Sequence, residues 1–248
     1  MIIEWLDMTP LTLGIALVVT TLAATLQATI GFGFAVLSVP VLALLEPRLV
    51  PVPQLLLIAP LAMGMAIRER SALQLKSVWW VVLGRISGAG LGVILLKYAS
   101  QFVLDLSIAG VVIIAVLCLT VVPAIPRNPF TEIVTGLVSG TGALVSSIGG
   151  PPLALLYRDA GGSAVRSTLA TIFILGLVAT IGARVAGGLI TESDLMIALT
   201  LLPAVGLGFY LSRFLIGRIE GAPFKRAVLV VATVSAIALT VRAFLRAT

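Results

Sequence analysis

Eight apolar stretches separated by short charged clusters make up most of the chain: Leu11–Leu45, Val50–Ile67, Ser77–Leu96, Phe102–Val122, Thr131–Tyr157, Val165–Ala186, Leu195–Leu215 and Pro223–Phe244. A helix crossing a bilayer needs about 20 apolar residues, and six of these stretches are close to that length. The pattern has no period-two alternation of the kind a membrane β-barrel requires. It predicts an all-α, polytopic membrane protein. Two stretches do not fit a single crossing. The first holds 35 residues, too many for one span and few for two, and the fifth holds 27.

Both misfits carry helix-breaking residues near their middles. The first reads ATLQATIGFGF over 24–34, with Gly31 and Gly33 flanking Phe32; the fifth contains SSIGGPP over 146–152. The arm after the first break, Phe34–Leu45, has 12 residues, about 18 Å of helix and so half a bilayer. The pattern predicts two broken, re-entrant segments, which is backbone that survives at membrane depth only under protein or beside a water-filled cavity.

The halves also match each other. Ile30-Gly31 resembles Ile148-Gly149, and AGLGVILLKYA (89–99) resembles VGLGFYLSRFL (205–215). A similar offset sets Arg68 opposite Arg184, and Pro60 opposite Gly176. Each half therefore reads as a broken hairpin followed by three helices. The first is 1–126 (broken segment 11–45; helices 50–67, 77–96 and 102–122). The second is 127–248 (broken segment 131–157; helices 165–186, 195–215 and 223–244).

Charge decides how the broken segments sit. If each crosses once, the cytoplasmic side holds Arg48, Lys97, Arg158, Arg166, Arg213, Arg218, Lys225 and Arg226, eight against seven. If each returns to the side it entered, the cytoplasmic side holds Arg68, Arg70, Lys76, Arg127, Arg158, Arg166, Arg213, Arg218, Lys225 and Arg226, ten against five. The positive-inside rule favours the second arrangement. It puts both termini outside and makes the halves two inverted repeats, a hallmark of secondary transporters.

Composition adds exclusions. The chain is 60% hydrophobic and 10% charged, with a net charge of +6. The basic residues are scattered through membrane loops, so they report orientation and imply no nucleic-acid partner. Cys118 is the one cysteine and there is no histidine, so no disulfide, metal or cofactor is expected. The acidic start MIIEWLDMTP lacks the basic region and cleavage site of a secretory leader. The expected partners are the lipid bilayer and a small anionic substrate, with room left for a homo-oligomer.

The anion follows from the breaks. A second arm that starts at mid-membrane aims its free N–H groups and positive dipole end inward, and two such ends build an anion site. Glycines let a ligand approach the backbone. The candidate substrate-binding residues are Gln27, Thr29, Gly31, Gly33, Ser146, Ser147, Gly149, Gly150 and Pro151, joined by Arg85 from the middle of 77–96. Small and hydroxyl residues also serve close helix packing, but their recurrence at matching places favours the site. A mid-membrane arginine is costly and by default functional, here as a substrate counter-charge; the competing role is structural bonding to helix-end carbonyls. Arg68 and Arg184 read as interfacial anchors or as anion attractors at two entrances. Trp79 and Trp80 suit an aromatic belt. Pro60 and Gly176 read as a hinge or a kink. No Asp, Glu or His lies centrally in a span, so the pattern favours a uniporter or exchanger over a proton-driven pump.

TLQATIGFGFAVLSVPVLALL (25–45), LVSGTGALVSSIGGPPLALLY (137–157), GAGLGVILL and VGLGFYL resemble the TauE/SafE sulfite exporter family of bacterial permeases over nearly the whole chain. The resemblance implies an inner-membrane transporter of small sulfur-containing anions, such as sulfite or organosulfonates. It also implies functional positions around Gly31, Gly33, Gly149, Gly150 and Pro151. The first break, with Phe32 and Phe34 beside Gly33, is less glycine-rich than is usual in the family. An anion channel, or a carrier of another oxyanion or carboxylate, stands as the alternative. An intramembrane enzyme would need a nucleophile–base pair or an acidic metal cluster, which this pattern does not offer.

Overall fold

A computed structural model describes residues 8–73, 78–98, 125–157 and 162–217 continuously, with scattered helical positions between 100 and 113 and between 230 and 245. The expected helices 102–122 and 223–244 thus lie largely outside the described residues. Everything regular that is described is helical: α1 Pro10–Ile30, α2 Phe34–Leu45, α3 Val52–Arg68, α4 Val78–Tyr98, α5 Pro129–Ser146, α6 Gly150–Leu156, α7 Gly162–Ala186 and α8 Glu192–Leu215. Among the described residues, five helical stretches are long and apolar enough to cross a membrane: α1, Pro47–Arg68, α4, α7 and α8.

Local sequence sets the starts. Thr9 caps α1 through Thr12 N–H (3.1 Å), with Pro10 in the first helical position, where its missing N–H costs nothing. Asn128 with Thr131, and Thr191 with Asp194, form capping boxes for α5 and α8. The outer faces of these helices carry exposed apolar side chains, as a lipid-facing surface does; Leu11, Val18 and Leu22 on α1 are examples. Trp79 and Trp80 are exposed near the start of α4.

Glycine seams bring the helices together. Gly84 and Gly88 of α4 lie against the carbonyls of Ile133 and Leu137, and Gly136 and Gly140 of α5 lie against those of Val81 and Arg85. A Cβ at any of the four would strike backbone, so only glycine permits this spacing. Gly208 of α8 sits equally close to Thr21 and Ala24 of α1. α3 packs along α7.

Both expected breaks are present, and at each the chain folds back beside the helix it has just left. Gly31 and Ser147 are the matching residues: each is a left-handed C-cap (φ 111° and 62°) whose N–H closes the preceding helix, onto Gln27 C=O (2.7 Å) and Ala143 C=O (3.0 Å) respectively. They lie 116 positions apart. The Ile-Gly pairs at 30 and 148 lie 118 positions apart, so the left-handed caps, and not the dipeptides, share the 116-residue offset of Arg68 and Arg184. The tips lie towards different ends of α3. Arg68, at its C-terminal end, donates to Ala28 C=O of α1, while Ser147 Oγ donates to the carbonyl of Pro51, just before its N-terminal end (2.7 Å).

Candidate functional site

The two breaks meet. Gly150 opens α6 with its Cα hydrogen facing Phe32 of the first break; a Cβ there would lie 3.2 Å from Phe32 Cβ. Beside this contact is a cavity of about 20 Å³, enough for a water or a very small group. Six of the ten candidates line it: Gln27, Gly33, Arg85, Ser147, Gly149 and Gly150. Thr29, Gly31, Ser146 and Pro151 belong to the same breaks but are not among its lining residues.

Arg85 is the charge of the site. It is 2% exposed, has no ion pair within 4 Å among the described residues, and lies 5.6 Å from the Phe173 ring centroid. Its Nη1 donates to Ser139 Oγ, whose own proton goes to Gly149 C=O (2.6 Å). The guanidinium is therefore tied through one hydroxyl to the second break, while its Nε has no partner. Gly176 of α7 makes room for it: a Cβ there would overlap the guanidinium. Close approach therefore explains this glycine, which the sequence left as hinge or kink.

Gln27 supplies a second unused donor. Its Oε1 accepts from Phe34 N–H at the start of α2 (3.2 Å), which turns its amide group the other way, and Nε2 is buried without a partner. The next free N–H groups of α2 belong to Ala35 and Val36, both of which line the cavity; Leu37 N–H is used by Gly33 C=O (3.1 Å). The second arm is poorer. Pro151 and Pro152 have no N–H, so in its first turn α6 has Gly150 and then Leu153 as donors. The dipole ends are unequal.

The three hydroxyl candidates are committed elsewhere. Thr29 Oγ1 donates to Thr25 C=O (2.7 Å), Ser146 Oγ to Gly142 C=O (2.8 Å) and Ser147 Oγ to Pro51 C=O. They fasten backbone and bring no free proton to the cavity. Arg68 and Arg184 both turn inward onto the breaks, Arg68 to Ala28 C=O and Arg184 to Leu144 C=O. Each arginine follows its carbonyl by 40 residues.

Sequence reasoning missed Ser139, which orients Arg85, and Glu69 and Arg166 beside the first break. A hydroxyl within the glycine seam of α5 was the available signal for Ser139, since that face meets α4 at Arg85. The family model described as sulfite exporter TauE/SafE matches residues 16–239. No curated protein and no solved structure matches the chain.

Proposed function

The chain belongs to the sulfite exporter TauE/SafE family, and from that membership we propose a permease that binds a small sulfur-containing anion, sulfite or an organosulfonate, between its two helix breaks. The observation that carries this reading is Arg85, a buried guanidinium without a carboxylate at a cavity to which both breaks contribute. A permanent cation at membrane depth is stabilised by an anion beside it. Gln27 Nε2 and the Ala35 and Val36 amides supply neutral donors suited to the oxygens of such an anion, and none of them offers it an opposing charge.

The reading includes an inverted duplication. Support comes from the 116-residue offset, from the repeated left-handed caps and from the placement of the two tips towards different ends of α3. In this reading, which the charge count supports, Arg68 and Arg166 face the cytoplasmic side of a bacterial inner membrane and both termini lie outside. Transport in this reading runs as uniport or exchange, because among the described residues no carboxylate pairs with Arg85 to carry a coupled proton. The cavity is small and Phe32 and Gly150 are in contact, which favours a carrier that must rearrange over an open channel.

Purified protein in liposomes is expected to pass radiolabelled sulfite in a saturable manner, stimulated by a counter-anion inside. Unsaturable flux would point to a channel. Absence of flux for sulfite, sulfonates and small carboxylates alike would overturn the proposal.

A further inference from the structure

We propose a second anion site on the Arg68 side of the first break, where the Glu69 carboxylate holds the place of a small oxyanion and is displaced by it. The inference rests on the anion-permease reading and adds a station to it. Arg68 Nε (3.2 Å) and Arg166 Nε (2.8 Å) both donate to Glu69 Oε1, so two guanidiniums share one carboxylate oxygen and the cluster keeps a net positive charge. Arg68 Nη1 further donates to Ser212 Oγ (2.8 Å), and Arg166 Nη1 to Thr29 C=O (3.4 Å). The cluster thus joins α1, α3, α7 and α8 at one point.

Its position suits a waypoint. Arg166 packs on Gly31, where an added Cβ would come 3.4 Å from Arg166 Cα, and Gly33 of the same break lines the central cavity. The Arg166 side chain is 8% exposed and that of Glu69 12%, so the carboxylate is sheltered while retaining a path to solvent. Two guanidinium Nε–H donors converging on one oxygen provide a geometry that one oxygen of a sulfur or phosphorus oxyanion also fits.

The opposite half shows that this carboxylate is not needed to cap a broken helix. Arg184 reaches Leu144 C=O in the way Arg68 reaches Ala28 C=O, yet Val185 and Val50 stand at the positions matching Glu69 and Arg166. Capping therefore proceeds with a single arginine that has no carboxylate within 4 Å among the described residues, Asp194 acting on it only from longer range. The additional carboxylate and arginine on one side serve a different purpose, and a resident anion that yields to the cargo is the one their chemistry supports.

The test is calorimetric titration of sodium sulfite into the full-length purified protein. Arg85→Ala removes the central site, so the remaining binding reports the cluster. In that background Glu69→Gln is expected to tighten sulfite binding about tenfold, equivalent to about 1.4 kcal/mol. Arg166→Gln is expected to abolish it, and Arg166→Lys, which keeps the charge and loses the fork, to weaken it severalfold. Arg68 is left intact because it caps α1. The proposal is overturned if Arg85→Ala alone eliminates all sulfite binding, a result that leaves the central site standing. It is equally overturned if Glu69→Gln leaves binding unchanged or weakens it. Residual binding that responds to Glu69 and Arg166, with transport indifferent to Arg85, would instead support the cluster while removing the central site.

Discussion

The two breaks solve one folding problem with different chemistry. At the first, Gly31 (φ 111°) and Gly33 (φ 113°) take positive φ at little steric cost, and the following arm runs for 12 residues. At the second, Ser147 is the one described non-glycine with positive φ, and the arm has 7 residues beginning Gly-Pro-Pro. A side chain in the left-handed region costs roughly 1–2 kcal/mol. Here the hydroxyl of Ser147 offsets part of that cost by bonding Pro51 C=O. Both breaks are tied to α3, the first through Arg68, but only at the second does the turn residue itself make the bond. The first also brings more amide donors to the cavity, so the proposed anion site leans on α2 and Gln27 for neutral donors and on Arg85 for charge.

The largest effect is expected where both breaks depend on one residue. Arg85→Ala removes the charge and frees Ser139 from its second partner. Truncating one member of a buried charge-assisted contact costs about 3 kcal/mol or more, so sulfite transport in liposomes should fall by at least about 100-fold, with the protein still eluting as a folded species. Arg85→Lys should restore part of the flux, since charge returns without the second hydrogen-bonding nitrogen. Wild-type rates for Arg85→Ala would show that the two breaks do not share a charge.

Gly176→Ala should come next. Its methyl would collide with the Arg85 guanidinium, so the arginine must withdraw from the cavity or α7 must shift. Small-to-large changes in packed interiors typically cost about 1–3 kcal/mol, and transport should drop sharply although every candidate donor is still present. Pro60, the matching position in α3, is exposed within a continuous helix, and Pro60→Ala should leave transport nearly unchanged. Measuring the pair separates room for a side chain from helix flexibility.

The architecture was legible because its causes are local. Run length, the glycines and the proline pair mark the breaks, and apolar runs mark α3, α4, α7 and α8 in advance. Five of the six candidates that reach the cavity do so because the interruptions themselves form its wall, and Arg85 joins them from α4. What the sequence hid was orientation about each helix axis. Thr29 and Ser146 look like ligand donors by position, yet a hydroxyl on a helix can always bond the carbonyl four residues back. Ser139 looks like filler in a glycine seam until α4 places Arg85 against it. Glu69 and Arg166 lie 97 positions apart and meet only after α3 and α7 pack. The left-handed caps at Gly31 and Ser147 share an offset that the Ile-Gly pairs miss by two positions, because glycine and serine reach one turn conformation differently.

That distinction predicts a reversal on substitution. Gly31→Ala should destabilise by about 2 kcal/mol, from the positive φ and from a Cβ 3.3 Å from Val165 Cγ1. Ser147→Ala keeps the strained backbone and loses the bond to Pro51, costing about 1 kcal/mol. Ser147→Gly loses the same bond but relieves φ, so it should be close to neutral. Thermal unfolding in detergent should therefore rank Ser147→Gly above Ser147→Ala, and both above Gly31→Ala. Equal losses for the two serine variants would mean that the tether, and not the backbone conformation, governs the second break.

The smallest effects should fall on the hydroxyls that resemble a binding site most in the sequence. Thr29→Val and Ser146→Ala each delete a proton that already serves Thr25 or Gly142 C=O. Those carbonyls keep their ordinary helical N–H partners, and back-bonding hydroxyls add little to helix stability. Each variant should shift stability by less than about 0.5 kcal/mol and leave the concentration dependence of sulfite transport unchanged. Gln27→Leu is the contrast within the same turn of α1. It removes the acceptor for Phe34 N–H and the unpartnered Nε2 donor together, so it should raise the sulfite concentration needed for half-maximal flux. If Thr29→Val matched Gln27→Leu in that measurement, the hydroxyl would have to turn towards the anion during transport, and the division between fastening and binding residues around the first break would be lost.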